Sequence, residues 1–564
     1  MTARARPLRV VVTVFALVFL TLGALTACNL HGRQADQAGA PPIAQEELAR
    51  APAENRARLL SPALSGGRAP GIAARAEPFT PPPVVDRENY APIDDNPLRL
   101  VREHPVSTFS VDVDTGSYAN MRRFLAAGSL PRQDAIRVEE LINYFDYDYP
   151  APADPDTPFS ITTEIAPSPW NADRYLLHVG LKGFEQARTA LPPANLVFLV
   201  DVSGSMQSPD KLALLKAALR MLVTQMREQD RISLVVYAGA SGVVLEPTSG
   251  REKARIMAAL DGLEAGGSTN GAAGIRLAYS MARQGFIEGG INRVLLATDG
   301  DFNVGTVNHE ALVDLIEAQR KQGITLTTLG FGSGNYNDRL MEQLADHGDG
   351  NYAYIDSIRE AQKVLVEEMA STLLVIAKDV KIQIEFNPEV VAEYRLIGYE
   401  NRVLAREDFN NDRVDAGEIG AGHTVTALYE LRLVGQGRPA VDPLRYRQGE
   451  AEPATPTSGE IAFLKLRYKQ PDGGESRLLT RALKLADIQP DLAASSARFR
   501  FSAAVAAFGQ LLRGGRYLGD FGYAEAHRLA REARGADRFG YRGEFLGLVK
   551  LAQALDGGQQ HAGR

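Results

Sequence analysis

Five apolar residues in a row, Leu196 to Val200, end abruptly in Asp201-Val202-Ser203-Gly204-Ser205. A continuous apolar run of this length reads as a strand buried on both faces, as in a parallel sheet packed between helices. Downstream, Leu212, Leu215, Leu219, Leu222 and Met226 recur at steps of three and four, which predicts a helix whose single apolar stripe covers that sheet. Strand patterns follow at residues 232–237, 294–298, 324–330 and 352–355, and helical patterns near 308–322 and 358–372. Residues 243–245 read as a short antiparallel edge strand. This alternation over 191–375 predicts a doubly wound, mostly parallel α/β sheet.

The pattern changes on both sides of that segment. Phe109, Val111 and Val113 alternate with Ser110, Asp112 and Asp114, predicting a half-buried strand, and helical stretches follow at 118–127 and 137–145. Strands are predicted at 160–165 and 175–181. Beyond Lys378 come strands without intervening helices, at 380–386, 393–399, 425–433 and 461–468. Because the two ends of a compact domain often lie close together, strands from both flanks are expected to build one β-sandwich into which the α/β segment is inserted; two independent flanking modules are the alternative. From Asp491 the chain reads as helical, with stripes Phe501, Val505, Phe508, Leu512 and Phe545, Leu548, Leu551, Leu555. The expected organisation is an amino-terminal region at 97–190, the α/β domain at 191–375, a β-rich domain at 376–485 completed by strands from 159–183, and a helical region at 486–564.

The first 96 residues have a different character. Arg4, Arg6 and Arg9 precede the apolar stretch Val10 to Leu22, and Leu25-Thr26-Ala27-Cys28 follows. A basic start, a short apolar core and small residues before a cut site mark an export signal over 1–27 and not a spanning helix. Cys28 is the only cysteine, and Leu-Thr-Ala-Cys resembles the bacterial lipobox, which implies lipidation of Cys28. Asn29 behind it leans toward the outer membrane, because Asp is the residue that favours inner-membrane retention in such lipoproteins. Residues 28–96, rich in Ala, Pro, Arg, Glu and Gln and without an aromatic before Phe79, read as a flexible tether. Cleavage would lower Lys plus Arg from 62 to 59 against 69 Asp plus Glu. An acidic surface without a basic tract argues against a nucleic-acid partner. Oligomeric state is not legible.

The chemistry concentrates where the buried strand ends. In an open α/β sheet, the residues past the carboxyl ends of the strands form the ligand crevice, so one carboxylate and two hydroxyls share a small loop. Oxygen-only ligands suit a hard divalent cation, and with so few of them charged a bound Mg²⁺ would keep much of its positive charge. The pattern resembles the metal-ion-dependent adhesion site of von Willebrand factor type A (VWA) domains, DxSxS followed by a distant Thr and a distant Asp. Thr269, in Gly266-Gly267-Ser268-Thr269-Asn270-Gly271, and Asp299, after Val294-Leu295-Leu296-Ala297-Thr298, stand in the matching order. The resemblance implies that Ser203, Ser205 and Thr269 contact the metal, and that Asp201 and Asp299 hold it directly or through water. One position stays open for an Asp or Glu of a protein partner. Mg²⁺ is the expected ion, with Mn²⁺ or Ca²⁺ as alternatives. Residues 107–150, with Asp112-Val113-Asp114-Thr115 and Asn143 to Pro150, resemble the region beside the VWA domain in a family of bacterial lipoproteins, and that resemblance extends over about 100–556.

Other constellations weigh less. Asp408, Asn410, Asp412, Asp415 and Glu418 begin like an EF-hand calcium loop, but Arg413 stands where Gly makes the turn and the Glu comes one position early. A solvated Asx-rich hairpin is the alternative. Asp112-Val113-Asp114-Thr115 only approximates an aspartyl-phosphatase loop, and a strand end with Thr115 or Ser117 capping the next helix explains it more simply. Neither Ser203 nor Ser205 sits in GxSxG, and HExxH and GxxxxGK[ST] are absent. His178 reads as a core histidine. The expected function is partner binding by a lipid-anchored envelope protein; the rivals are a metal-dependent hydrolase and a structural envelope component with a fold-stabilising metal.

Overall fold

In the computed structural model, Leu196 to Val200 lie inside strand Ala194–Asp201, all eight residues of which are buried. Alternate residues serve two cores. Leu196, Phe198 and Val200 pack with Leu215, Leu219 and Leu222 on one face, and Val197 and Leu199 pack with Ile275, Tyr279 and Ile316 on the other. Burial on both faces is why the run is continuous. The structure describes residues 87–152, 157–268, 271–300, 309–440 and 459–562. The export signal, Cys28, nearly all of the tether and Thr269 lie outside them.

The six-stranded sheet runs Tyr352–Ile355, Thr325–Phe331, Ile291–Thr298, Ala194–Asp201, Arg231–Tyr237, Ser241–Ser249. All pairings are parallel except the last. That antiparallel edge is nine residues long, where the sequence suggested three; Val243 and Val244 both face solvent, so its residues do not alternate cleanly. Leu214–Gln225 and Lys253–Asp261 cover one face, while Gly271–Gln284 and His309–Arg320 cover the other. From Ala194–Asp201 the chain crosses to Arg231–Tyr237 on one side and later returns to Ile291–Thr298 on the other. The order thus reverses beside Asp201, where such sheets open a crevice.

The flanks build a second body from strands on both sides of this segment. One sheet runs Arg99–Leu100, Val391–Ile397, Thr424–Leu433, Tyr175–Gly183, Phe159–Pro167, and the other runs Ile419–Gly420, Val375–Phe386, Glu460–Gln470, Gly473–Lys484, with Val106–Ser110 also on Val375–Phe386. Leu177, Val179, Ile382, Ile384, Leu464 and Leu466 share the core between them. On the outer face of the first sheet, Ala166, Leu176, Ile397 and Leu428 meet a helical layer that includes Gly116–Ala126, Val138–Asn143, Ala497–Leu512 and Tyr541–Ala562.

Two local expectations are corrected. Leu551 is exposed, and the buried stripe of the last helix is Phe545, Leu548, Val549 and Ala552. Neither Thr115 nor Ser117 caps Gly116–Ala126 by its side chain. The buried carboxyl of Glu140 accepts the Ser117 N–H at 2.7 Å instead, and Ser117 Oγ donates to the Ala135 carbonyl, so an acceptor from the following helix satisfies an N–H at the start of this one. Asp112 and Asp114 are also structural: Asp112 Oδ1 accepts the Asp114 N–H, Asp114 Oδ1 accepts that of Tyr352, and Arg402 Nε lies 3.2 Å from Asp112 Oδ2.

Candidate metal centre

Asp201 is the last residue of its strand and is fully buried. Three donors hold its carboxylate. The Ser203 N–H reaches Oδ1 at 2.8 Å, and Thr298 Oγ1 and the Tyr237 hydroxyl reach Oδ2 at 3.0 and 3.2 Å. Burial pushes this carboxyl above its usual range, the Ser203 bonds pull it down, and the neighbouring Asp299 charge raises it again. A buried carboxylate with a second one nearby is the setting in which a divalent cation is favourable.

The loop behind Asp201 turns tightly, with the Met206 N–H bonding the Ser203 carbonyl. This turn puts the hydroxyl oxygens of Ser203 and Ser205 2.9 Å apart. Around an octahedral Mg²⁺ with bonds of about 2.0–2.1 Å, adjacent ligand oxygens stand about 2.9 Å apart; the serine pair therefore matches one edge of such a shell, and the donor set suits the ion. Two backbone bonds, Gly204 N–H to Gly267 O at 3.0 Å and Gly266 N–H to Val202 O at 2.7 Å, fasten this loop to the segment that leads into Thr269.

Asp299, also fully buried, follows the neighbouring strand. Lys211 Nζ donates to its Oδ2 at 2.9 Å and Asn335 Nδ2 does so at 3.3 Å. The structure therefore brings Asp201, Ser203, Ser205 and Asp299 to one end of the sheet. It adds Lys211, Tyr237, Thr298 and Asn335, which sequence reasoning missed. Lys211 left one signal: it directly precedes the apolar stripe that begins at Leu212 and is itself buried.

Comparison with known proteins identifies the family. Residues 195–367 match the von Willebrand factor type A domain, 84–178 match a family described as von Willebrand factor, and 371–555 match the carboxyl-terminal family of Uncharacterized protein YfbK. Over 472 residues the chain is 50% identical to Uncharacterized protein YfbK of Escherichia coli (strain K12), spanning 83% of this chain and 81% of that protein. The chain belongs to the YfbK family of VWA proteins. Inter-alpha-trypsin inhibitor heavy chain H3 of Homo sapiens is 26% identical over 302 residues, which span 49% of this chain and 32% of that one. Among solved structures, von Willebrand factor type A from Catenulispora acidiphila is 16% identical with a TM-score of 0.37, covering 69% of this chain and 89% of that chain. VWA domains are often metal-dependent adhesion and protein-interaction modules, and typically not enzymes.

The five positions of the calcium-like loop of this YfbK relative do not converge on one point. Asp408 Oδ2 accepts the Ala405 N–H at 3.3 Å, and Asp412 is taken up by Arg467 and Ser476. Only Asp415 and Glu418 come together, and their third member is Asp349 from the VWA domain. Arg320 pairs with Asp349 and Asp415, and Lys378 with Asp349, so cations of the chain itself already offset this acidic cluster. Glu418 is nevertheless pushed well above the usual carboxylate range, by burial first and then by Asp349 and Asp415.

Proposed function

We propose that this chain is an envelope adhesion protein that grips an acidic protein partner through a Mg²⁺ held by Asp201, Ser203, Ser205, Thr269 and Asp299, with Mn²⁺ or Ca²⁺ as substitutes. The observation that carries this reading is the meeting of the buried Asp201 carboxylate with the Ser203 and Ser205 hydroxyls at a strand end. Few of these ligands are charged, so the ion would present uncompensated positive charge to an incoming Asp or Glu. Asp201 is held in place by Ser203, Thr298 and Tyr237, which fixes the position of the cation before any partner arrives.

The same reading includes attachment through a lipid on Cys28, where a tether of about 65 residues would give the adhesion face a reach of about 45 Å. The outer membrane is the favoured location. Among the described residues no helix is long and apolar enough to cross a membrane.

Titration calorimetry with MgCl₂, alongside affinity capture from envelope extract in Mg²⁺ or EDTA, tests the proposal. The expected result is uptake of one ion per chain and a Mg²⁺-dependent partner, both lost in a folded Asp201→Ala variant. Ion uptake whose removal lowers only the melting temperature, with capture unchanged, would identify a fold-stabilising metal instead. Absence of Mg²⁺, Mn²⁺ and Ca²⁺ uptake would end the adhesion reading.

A further inference from the structure

We infer that Lys211 is a resident cation of this site, which weakens metal capture and leaves the loaded site with one surplus positive charge until a partner carboxylate arrives. This inference rests on the metal reading above and names what would set its affinity.

The contact is built into the fold. Lys211 Nζ stands 2.9 Å from Asp299 Oδ2 and 3.2 Å from Asn335 Oδ1, and the lysine is almost fully buried. Burying an ammonium is costly unless it is paired and hydrogen-bonded, and these two oxygens supply the pairing. Its path depends on Gly332. A Cβ at that position would fall 2.3 Å from Lys211 Cε, 2.4 Å from Cγ and 2.8 Å from Cδ. Gly332 also adopts a φ of +72°, which strains other residues, so backbone conformation and missing side chain both make room for the stem. Three separate segments, around residues 211, 299 and 332–335, thus cooperate to bring one charge to Asp299.

Counting the named groups decides what that charge does. Asp201 and Asp299 together carry two negative charges, which a divalent ion alone would cancel. With Lys211 present, the same ion arrives at a site already half neutralised, and the loaded arrangement is net positive by one. Two like charges a few ångströms apart in a poorly solvated site repel strongly, so metal affinity falls. The surplus is available to a carboxylate from outside, whose binding would restore neutrality and tighten the ion. Lys211 thereby couples metal retention to partner engagement.

The test is calorimetric titration of MgCl₂ into the purified full chain as wild type, Lys211→Met, Lys211→Gln and Asp201→Ala, with folding checked by circular dichroism. Methionine keeps the stem and removes the charge; glutamine retains a hydrogen-bond donor for Asp299 and serves where methionine fails to fold. The expected result is Mg²⁺ binding at least tenfold tighter in both lysine variants than in wild type. Uptake by the lysine variants with none by wild type upholds the opposition of Lys211 to the ion but ends the adhesion reading for the native chain. Equal or weaker binding by a folded lysine variant, with uptake by wild type, overturns the role of Lys211 and leaves the metal site standing. Silence in every chain overturns both readings together.

Discussion

A single histidine shows how far burial changes chemistry in this chain. His178 sits in strand Tyr175–Gly183, fully buried, with its Nε2 2.9 Å from the Tyr149 hydroxyl. Burial, with the nearby Arg498 charge adding to it, pushes the imidazole down to about 3. The folded chain therefore keeps His178 neutral, whereas an unfolded histidine gains its proton near pH 6.5. The stabilising contribution is complete above pH 6.5 and is lost as pH falls from there toward 3, amounting to about 2 kcal/mol by pH 5. His178→Gln should lose correspondingly less stability between pH 7 and pH 5 than wild type in urea unfolding; equal losses would show that His178 does not drive this part of the acid response. The candidate loop was legible because Asp201, Ser203 and Ser205 are neighbours in sequence and follow a strand buried on both faces. Lys211, Tyr237 and Asn335 were not, because each reaches the site from another segment, and Thr298 was not because its bond to Asp201 depends on the pairing of two strands.

At the scale of elements, charge does what apolar stripes cannot. The stripe from Leu212 to Met226 was readable because one face of its helix is solvated, whereas Ala497–Leu512 is buried on nearly all sides and its stripe understates its packing. Gly473–Lys484 went unread for the opposite reason: it is a largely exposed edge strand with no continuous apolar face. Helix Gly116–Ala126 is fastened by Arg122, whose guanidinium lies 2.7 Å from Glu360 and 3.0 Å from Glu544 and also pairs with Asp356. One buried cation thus ties the end of the VWA domain to the last helix. Removing it takes the direct ion-pair partner from the buried Glu360, which keeps only the Tyr144 hydroxyl bond, and breaking a buried pair in this way costs about 3–5 kcal/mol. Arg122→Met should lower the melting temperature by several degrees, and adding Glu360→Gln should restore part of the loss. A single variant that melts with wild type would show that this junction does not depend on the ion cluster.

For the whole molecule, the decisive fact is that the VWA segment interrupts a sandwich without contributing to its core. Its two sheet-facing clusters draw only on residues 194–373, while the sandwich core draws on residues from 101 to 181 and from 376 to 483. The two cut points are close together: a Cβ on Gly183, at the end of one flanking strand, would lie 2.8 Å from Ile376 Cδ1 at the start of the next. A segment with its own core and adjacent ends meets the conditions for autonomous folding. What it would lose on excision is specific. Tyr352 packs so closely beneath Gly116 that a Cβ there would fall 2.3 Å from its ring, and Asp338 and Glu360 would part from Arg137 and Arg122. Residues 191–374 expressed alone should therefore melt cooperatively, at a lower temperature than the full chain, and take up Mg²⁺ with the affinity of the parent, because Asp201, Asp299 and Lys211 all lie within it. An excised segment that is molten by near-ultraviolet circular dichroism, or that binds the ion far more weakly, would show that the flanks hold the crevice in shape.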